Sequence, residues 1–208
     1  MRVSPDGKHA YLTDSGQKGA LIVVDVGTGQ SRRVLDGDPK TQAEPNLVPI
    51  IDGHELRRPD NRPPAFAADG ITLTPDGRYL IWQALIGRTL YRIPTAALDD
   101  PGLAGNQLSR RAEKFGPSDI AHGLWMDGKG YLYITDPQHN AVKMRSPDGK
   151  VTTIARDDRL RWPDSFAESA DGSIYVTASH IQDMAQFHDK GSTQQGAWEL
   201  LRIDHPHP

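Results

Sequence analysis

Asp69, His122 and Asp164 open three nine-residue stretches that align without a gap: DGITLTPDG (Asp69–Gly77), HGLWMDGKG (His122–Gly130) and DSFAESADG (Asp164–Gly172). Two carboxylates and an imidazole at one repeat position can do two kinds of chemistry. Asp69 and Asp164 can ligate a divalent cation such as calcium, with the imidazole suited to a more borderline ion. Alternatively, the three groups can act as general acid and base in proton transfer. An aspartate at the start of a strand can also do no more than cap its own turn through the backbone. A histidine in the same register suits that structural role poorly.

The elements that must position these residues follow from the same alignment. Each stretch leads into a strand-like run, at Tyr79–Gln83, Tyr131–Thr135 and Ser173–Thr177. After a polar turn comes a third run, at Arg88–Ile93, Ala141–Arg145 and Trp198–Ile203. A fourth copy begins the chain with VSPDG at Val3–Gly7, followed by Ala10–Thr13, Leu21–Val26 and Ser31–Leu35. Asp-Gly is a turn signal because glycine accepts the positive φ of tight hairpins. Repeats of about 40–50 residues built from short antiparallel strands are the pattern of propeller blades. The fold class expected is therefore all-β, a β-propeller with about four blade repeats. The blade-like units fall near 1–37, 69–112, 122–158 and 164–204, in one partial propeller domain spanning 1–208. In that architecture the innermost strands line a central channel, so Asp69, His122 and Asp164 share one level of it.

The register also places the start of the first strand before residue 1, so the sequence reads as part of a longer parent without its N-terminal blades. Two segments break the period. An irregular excursion at 38–68, rich in proline and containing RRPDNRPP, is expected to run over the rim. A polar stretch at Asp99–Ser118 carries a helical turn near Ala96–Asp100.

Other polar residues are expected to face the same channel mouth. The loops after the second strands bring His139 and Asn140, then His180, as candidate ligand-binding residues. Glu168, four residues after Asp164 on one strand face, is a further candidate, with an ion pair to Arg161 as its structural alternative. Trp162, just before Pro163 and Asp164, is placed to wall a pocket, whereas Trp82, Trp125 and Trp198 are assigned to packing between blades. His54 and His188 fall in irregular segments. His205 and His207 lie in an HPHP tail expected to fray.

The formal net charge of −3 and the lack of any Lys/Arg-rich run argue against nucleic-acid binding. No cysteine is present, so disulfides, zinc–thiolate sites and thiol nucleophiles are excluded. The longest apolar run, Ala20–Val24, is too short to span a bilayer. The first residues have the form of neither a signal peptide nor a transit peptide. Nucleophile elbows, phosphate-binding glycine loops and HExxH motifs are all missing. Oligomeric state is not legible from the sequence.

Several longer segments carry a family resemblance. LTDSGQKGALIVVDVGTGQSRRVL, DGITLTPDGRYLIWQALIGRTLYRIPTAALDD and RWPDSFAESADGSIYVTASHIQ resemble blade segments of major royal jelly/Yellow proteins, the last of them the form common in bacterial members of the dopachrome-tautomerase-related type. The resemblance covers nearly all of residues 3–204. It implies a six-bladed propeller, usually secreted or periplasmic, whose small-molecule ligand is an aromatic or amine compound bound at the channel mouth. In an isomerase of this kind His122 is expected as the base, with Asp69 or Asp164 orienting it or holding an amine. A looser similarity to gluconolactonase and regucalcin-like propellers implies instead a metal-dependent lactonase. A propeller that binds without catalysis is the third alternative.

Overall fold

The computed structural model describes residues 1–204 and Pro206. His205 and His207, expected to fray, lie outside the described residues.

Alternating apolar residues interrupted by Asp-Gly turns produce up-and-down antiparallel meanders, each forming one blade. The first blade comprises β1 (Arg2–Val3), β2 (His9–Asp14), β3 (Ala20–Asp25) and β4 (Ser31–Val34) in that order. A hairpin of β5 (Ile50–Ile51) and β6 (His54–Glu55) lies within the excursion. The second blade has β7 (Ala68–Leu73), β8 (Tyr79–Ala84), β9 (Thr89–Pro94) and β10 (Glu113–Pro117), with short helices α1 (Thr95–Asp99) and α2 (Gly105–Ser109) between its last two strands. The third blade has β11 (Leu124–Met126), β12 (Leu132–Asp136), β13 (Ala141–Arg145) and β14 (Val151–Arg156). In the fourth, β15 (Pro163–Glu168), β16 (Ile174–Ala178) and β17 (Glu199–Ile203) form a three-stranded sheet.

The stretch expected to be polar and irregular at Asp99–Ser118 thus holds α2 and a blade strand. Its EKFGP sequence lacks alternation, which hid β10. The strand is held by pairing with β9 and by the guanidinium groups of Arg92 and Arg145, 5.4 and 4.3 Å from the ring centre of Phe115.

Aspartate side chains fix the turns. Asp76 Oδ1 accepts a hydrogen bond from Thr74 Oγ1 at 2.6 Å and from the Arg78 amide at 3.1 Å, with Gly77 at φ +68°. Asp6 and Asp171 repeat the arrangement with Ser4 and Ser169. In the third blade Asp127 Oδ1 accepts from the amides of Lys129 and Tyr131.

The blades stack face to face through three apolar layers. Tyr11, Leu21 and Val23 meet Leu80, Trp82 and Ile93 between the first and second blades. Ile81 and Leu90 meet Leu124, Leu132 and Ile134 between the second and third. Tyr133, Val142 and Met144 meet Phe166, Ile174 and Val176 between the third and fourth. Successive residues of β8 therefore serve two different layers, as the period of two requires. A fourth cluster lies at one end of the blades, where Ile51 and Leu56 of the excursion cover Leu85, Ile86, Ile120, Trp162 and Phe187. Trp198, assigned to packing from the sequence, is instead 68% exposed.

Neighbouring inner strands approach backbone to backbone. A side chain on Gly70 would come within 2.9 Å of the His122 carbonyl oxygen, and one on Gly123 would overlap the carbonyl of Asp164. Overpacking of this kind typically costs about 1–3 kcal/mol. Gly123→Ala is therefore expected to lower the unfolding free energy by at least about 2 kcal/mol in urea titrations. Gly128→Ala, whose added methyl meets nothing within 4 Å, should change it by no more than about 0.5 kcal/mol. Equal effects at the two positions would refute the close-approach argument.

Candidate functional site

The close approach of the inner strands brings the three repeat residues together, although 95 positions of sequence separate the first from the last (164 − 69). His122 Nε2 lies 3.3 Å from Oδ2 of Asp69 and 3.6 Å from Oδ1 of Asp164. The three side chains are only 17%, 22% and 26% exposed. They line a cleft of about 170 Å³ together with Arg2, Thr13, Ile71, Leu124 and Phe166. Its walls are mainly polar, combining the carboxylates with Arg2 and Thr13, and Ile71, Leu124 and Phe166 add only a small apolar part.

Threonines of the second strands hold the site's backbone. Thr135 Oγ1 accepts the amides of His122 and Gly123, both at 2.9 Å. Thr177 Oγ1 takes the Ser165 amide at 3.0 Å, and Thr13 donates to the Asp69 carbonyl at 2.7 Å. These residues were not singled out from the sequence, yet the recurring YLTD, YITD and YVTA of Tyr11–Asp14, Tyr133–Asp136 and Tyr175–Ala178 carried the signal. Arg2 was also missed. Its Nη2 donates to the Leu124 carbonyl at 2.8 Å, and the guanidinium sits 5.1 Å from the ring centre of Trp125.

The proton on the imidazole is fixed by its other neighbour. The indole Nε1–H of Trp162 donates to His122 Nδ1 at 3.0 Å. An indole nitrogen is only a donor, so Nδ1 must be the bare acceptor and the ring proton sits on Nε2, facing the two carboxylates. Nε2 and its proton thus lie on the side of Asp69 and Asp164, within ion-pair distance of both carboxylates. Asp69 Oδ1 and Asp164 Oδ2 have no protein hydrogen bond among the described residues, which leaves both free to accept from a ligand. Burial is the first cause of a raised pKa at Asp69; the Asp164 carboxylate adds to it and the imidazole opposes it.

Trp162 is wholly buried and has a backbone φ of +55°. That left-handed conformation is rare for a bulky residue and costs on the order of 1–3 kcal/mol. It belongs beneath the site as a support rather than among the residues lining the cleft.

The other expected ligand residues do not line this cleft. His139 is half-exposed and turns its Nδ1 to Asp136 Oδ2 at 2.8 Å, while Asn140 occupies the left-handed hairpin position at φ +47°. Asp136 is fully buried and also pairs with Lys143 at 2.7 Å. His180 is buried, its Nε2 2.8 Å from Glu199 Oε2 and its Nδ1 3.5 Å from Asp183. Glu168 is exposed and accepts from the Trp125 indole at 3.1 Å. The alternative expected for it, an ion pair with Arg161, is not formed, because Arg161 pairs with Asp52 and Asp183.

Among the described residues, no group of three or more His, Asp or Glu side chains is arranged to hold a metal ion. Asp69 and Asp164 stand on either side of the imidazole Nε2, 3.3 and 3.6 Å from it. Among the same residues, no helix is long and apolar enough to cross a membrane.

Comparison with known proteins agrees with the blade architecture. The family model described as major royal jelly protein matches residues 2–200. No curated protein matches the sequence. Among solved structures, a gluconolactonase from Xanthomonas campestris is similar at 13% identity and a TM-score of 0.55, covering 86% of this chain and 52% of its own. Hydrazine synthase from Kuenenia stuttgartiensis is similar at 14% identity and a TM-score of 0.52, covering 86% of this chain and 41% of its own. An auxiliary nutrient binding protein from Bacteroides thetaiotaomicron has 10% identity and a TM-score of 0.52, covering 84% and 34%. At these identities the likeness is one of fold alone. The chain spans about half, or less, of the length of these structures.

The pKa of Asp69 gives a pH test. An acid whose pKa is higher folded than unfolded holds more protons in the native state, so its contribution to stability falls as pH rises above its ordinary value of 3.8. Asp69→Asn cannot ionise and escapes that loss. Urea unfolding between about pH 4 and about pH 7 should show the variant gaining stability relative to the wild type as pH increases. A difference that stays constant across this range would overturn the assignment.

Proposed function

The chain belongs to the major royal jelly protein family, and from that premise we propose that its central cleft binds a small aromatic amine and serves proton transfer within it. The observation that carries this reading is the pair of partly buried carboxylates flanking one imidazole nitrogen at 3.3 and 3.6 Å. An ammonium or hydroxyl group of the ligand donates to the free oxygens of Asp69 and Asp164. Such charge-assisted hydrogen bonds are roughly twice as strong as neutral ones. Ile71, Leu124 and Phe166 supply the small apolar part of the lining on the ring's side.

Isomerisation by tautomerism moves a proton between two atoms of one molecule and needs no oxidant or reductant. In this reading Asp69 takes a proton from a ligand carbon and returns it to a heteroatom of the same ligand. Its raised pKa suits the task, because a general base works best with a pKa near the working pH. His122 stands beside the Asp69 carboxylate with Nε2 at 3.3 Å, and Asp164 anchors the amine. The lactonase alternative needs a bound cation, and the donor set offers no three-ligand cage for one. Placement outside the cytoplasm accompanies this proposal on the family resemblance alone.

Calorimetric titration with dopamine provides the test. Asp164→Asn is expected to weaken binding about tenfold or more, since a hydrogen bond to a charged group contributes about 1.5–3 kcal/mol. Asp69→Asn should abolish conversion of an aminochrome substrate, followed by its visible absorbance, while leaving measurable binding. No dopamine binding by the wild type, or equal affinity in the wild type and Asp164→Asn, would sink the proposal.

A further inference from the structure

Arg161 stands next to the strained Trp162 and is held from two directions. Its Nη2 lies 3.1 Å from Asp52 Oδ2, in the turn of the β5–β6 hairpin, and 3.1 Å from both carboxylate oxygens of Asp183, in the loop after β16. The carbonyl oxygen of Arg161 accepts the His180 amide at 3.2 Å, and that of Trp162 accepts the Ser179 amide at 3.0 Å. Residues flanking Asp52 act on the same unit, because Ile51 and Leu56 pack in one cluster with the Trp162 indole. The excursion therefore grips this dipeptide twice, by ion pair at Arg161 and by apolar cover at Trp162.

Beyond the indole lies the site. Trp162 Nε1–H reaches His122 Nδ1, and the remaining ring nitrogen faces Asp69 and Asp164. A side chain in an unfavourable backbone conformation keeps one position only where its surroundings over-determine it. Here those contacts come partly from the blade's own loop after β16, through Asp183, Ser179 and His180, and partly from the excursion, through Asp52, Ile51 and Leu56. Without them the dipeptide is free to leave the left-handed region, swinging the indole N–H away from the imidazole and releasing the ring to either tautomer.

We infer that Arg161, clamped between Asp52 and Asp183, is a positioning residue that sets the tautomer of His122 through the indole of Trp162. The inference concerns the ring proton itself; its bearing on ligand chemistry rests on the function proposed above. It makes the proline-rich excursion a part of the site's machinery, acting across the propeller end without touching the cleft.

The test is long-range proton–nitrogen NMR of the full chain labelled with nitrogen-15 in histidine, at a pH where the imidazole is neutral. His122 is assigned by the signal that His122→Gln removes. The wild type is expected to give two widely separated ring-nitrogen shifts, with the proton on Nε2. Trp162→Phe removes the donor, and the two shifts should converge as the tautomers mix. Arg161→Met and Asp52→Asn should each move them partway in the same direction, with Arg161→Lys restoring part of the separation. Wild-type His122 shifts in folded Arg161→Met and Asp52→Asn would overturn the inference, as would wild-type shifts in Trp162→Phe. If Arg161→Met does not fold, Asp52→Asn decides the matter, because Asp52 is an exposed turn residue whose loss leaves the core intact. Failure of dopamine to bind would leave this result standing and overturn only the proposed function.

Discussion

Everything at the centre of this protein depends on how closely neighbouring inner strands approach each other. Gly70 faces the carbonyl of His122, and Gly123 faces the carbonyl of Asp164. Each glycine follows a site residue, and its missing side chain leaves room for the next blade's site residue. The carboxylates thus reach the imidazole because the backbones beside them nearly touch. A larger residue at either place would move one blade outward and separate the side chains by more than a hydrogen bond can tolerate. The threonines of the second strands work toward the same end, since Thr135 and Thr177 anchor the amides of the strand starts on which the site is built.

Much of this was legible in the sequence because it is periodic. The ungapped alignment at Asp69, His122 and Asp164 put three distant residues on one level, and the structure has them within 3.3 and 3.6 Å through the imidazole. The DG and HG pairs already contained the packing rule, although glycine there looked like ordinary turn chemistry. What was not legible arises outside the repeat. His180 and His139 occupy positions that periodicity assigns to the channel mouth, yet nearby carboxylates on their own blade, Glu199, Asp183 and Asp136, hold them. A polar loop residue answers first to its local partners, and spacing does not reveal those. β10 escaped notice for a related reason, because cation–π contacts from Arg92 and Arg145 replace the alternation that ordinarily marks a strand.

The excursion illustrates the same limit with greater consequence. Its proline content suggested a loop over the rim, and such composition gives no sign of what the loop touches. In the fold, Ile51 and Leu56 seal the end of the blades over Trp162, and Asp52 meets Arg161. The apolar cover supplies the larger share of the hold, since an ion pair that is one-third exposed contributes only about 0–1 kcal/mol. The ion pair contributes direction instead. It fixes which way the dipeptide turns, a property that apolar burial alone does not specify.

That direction matters because the imidazole stands between two carboxylates. Two carboxylates close together repel, and burial raises the cost of ionising Asp69 further. One N–H pointed between them offsets part of that cost without filling the remaining acceptor positions. Were the ring proton on Nδ1, it would oppose the indole N–H, and the bare Nε2 would face two carboxylates with nothing to donate. The Nε2–H arrangement satisfies the indole and puts the ring proton on the side of both acids. An indole is well suited to enforce this choice because it cannot accept a hydrogen bond. A hydroxyl or a backbone amide–carbonyl pair in its place would tolerate either tautomer and leave only the two carboxylates to favour Nε2–H.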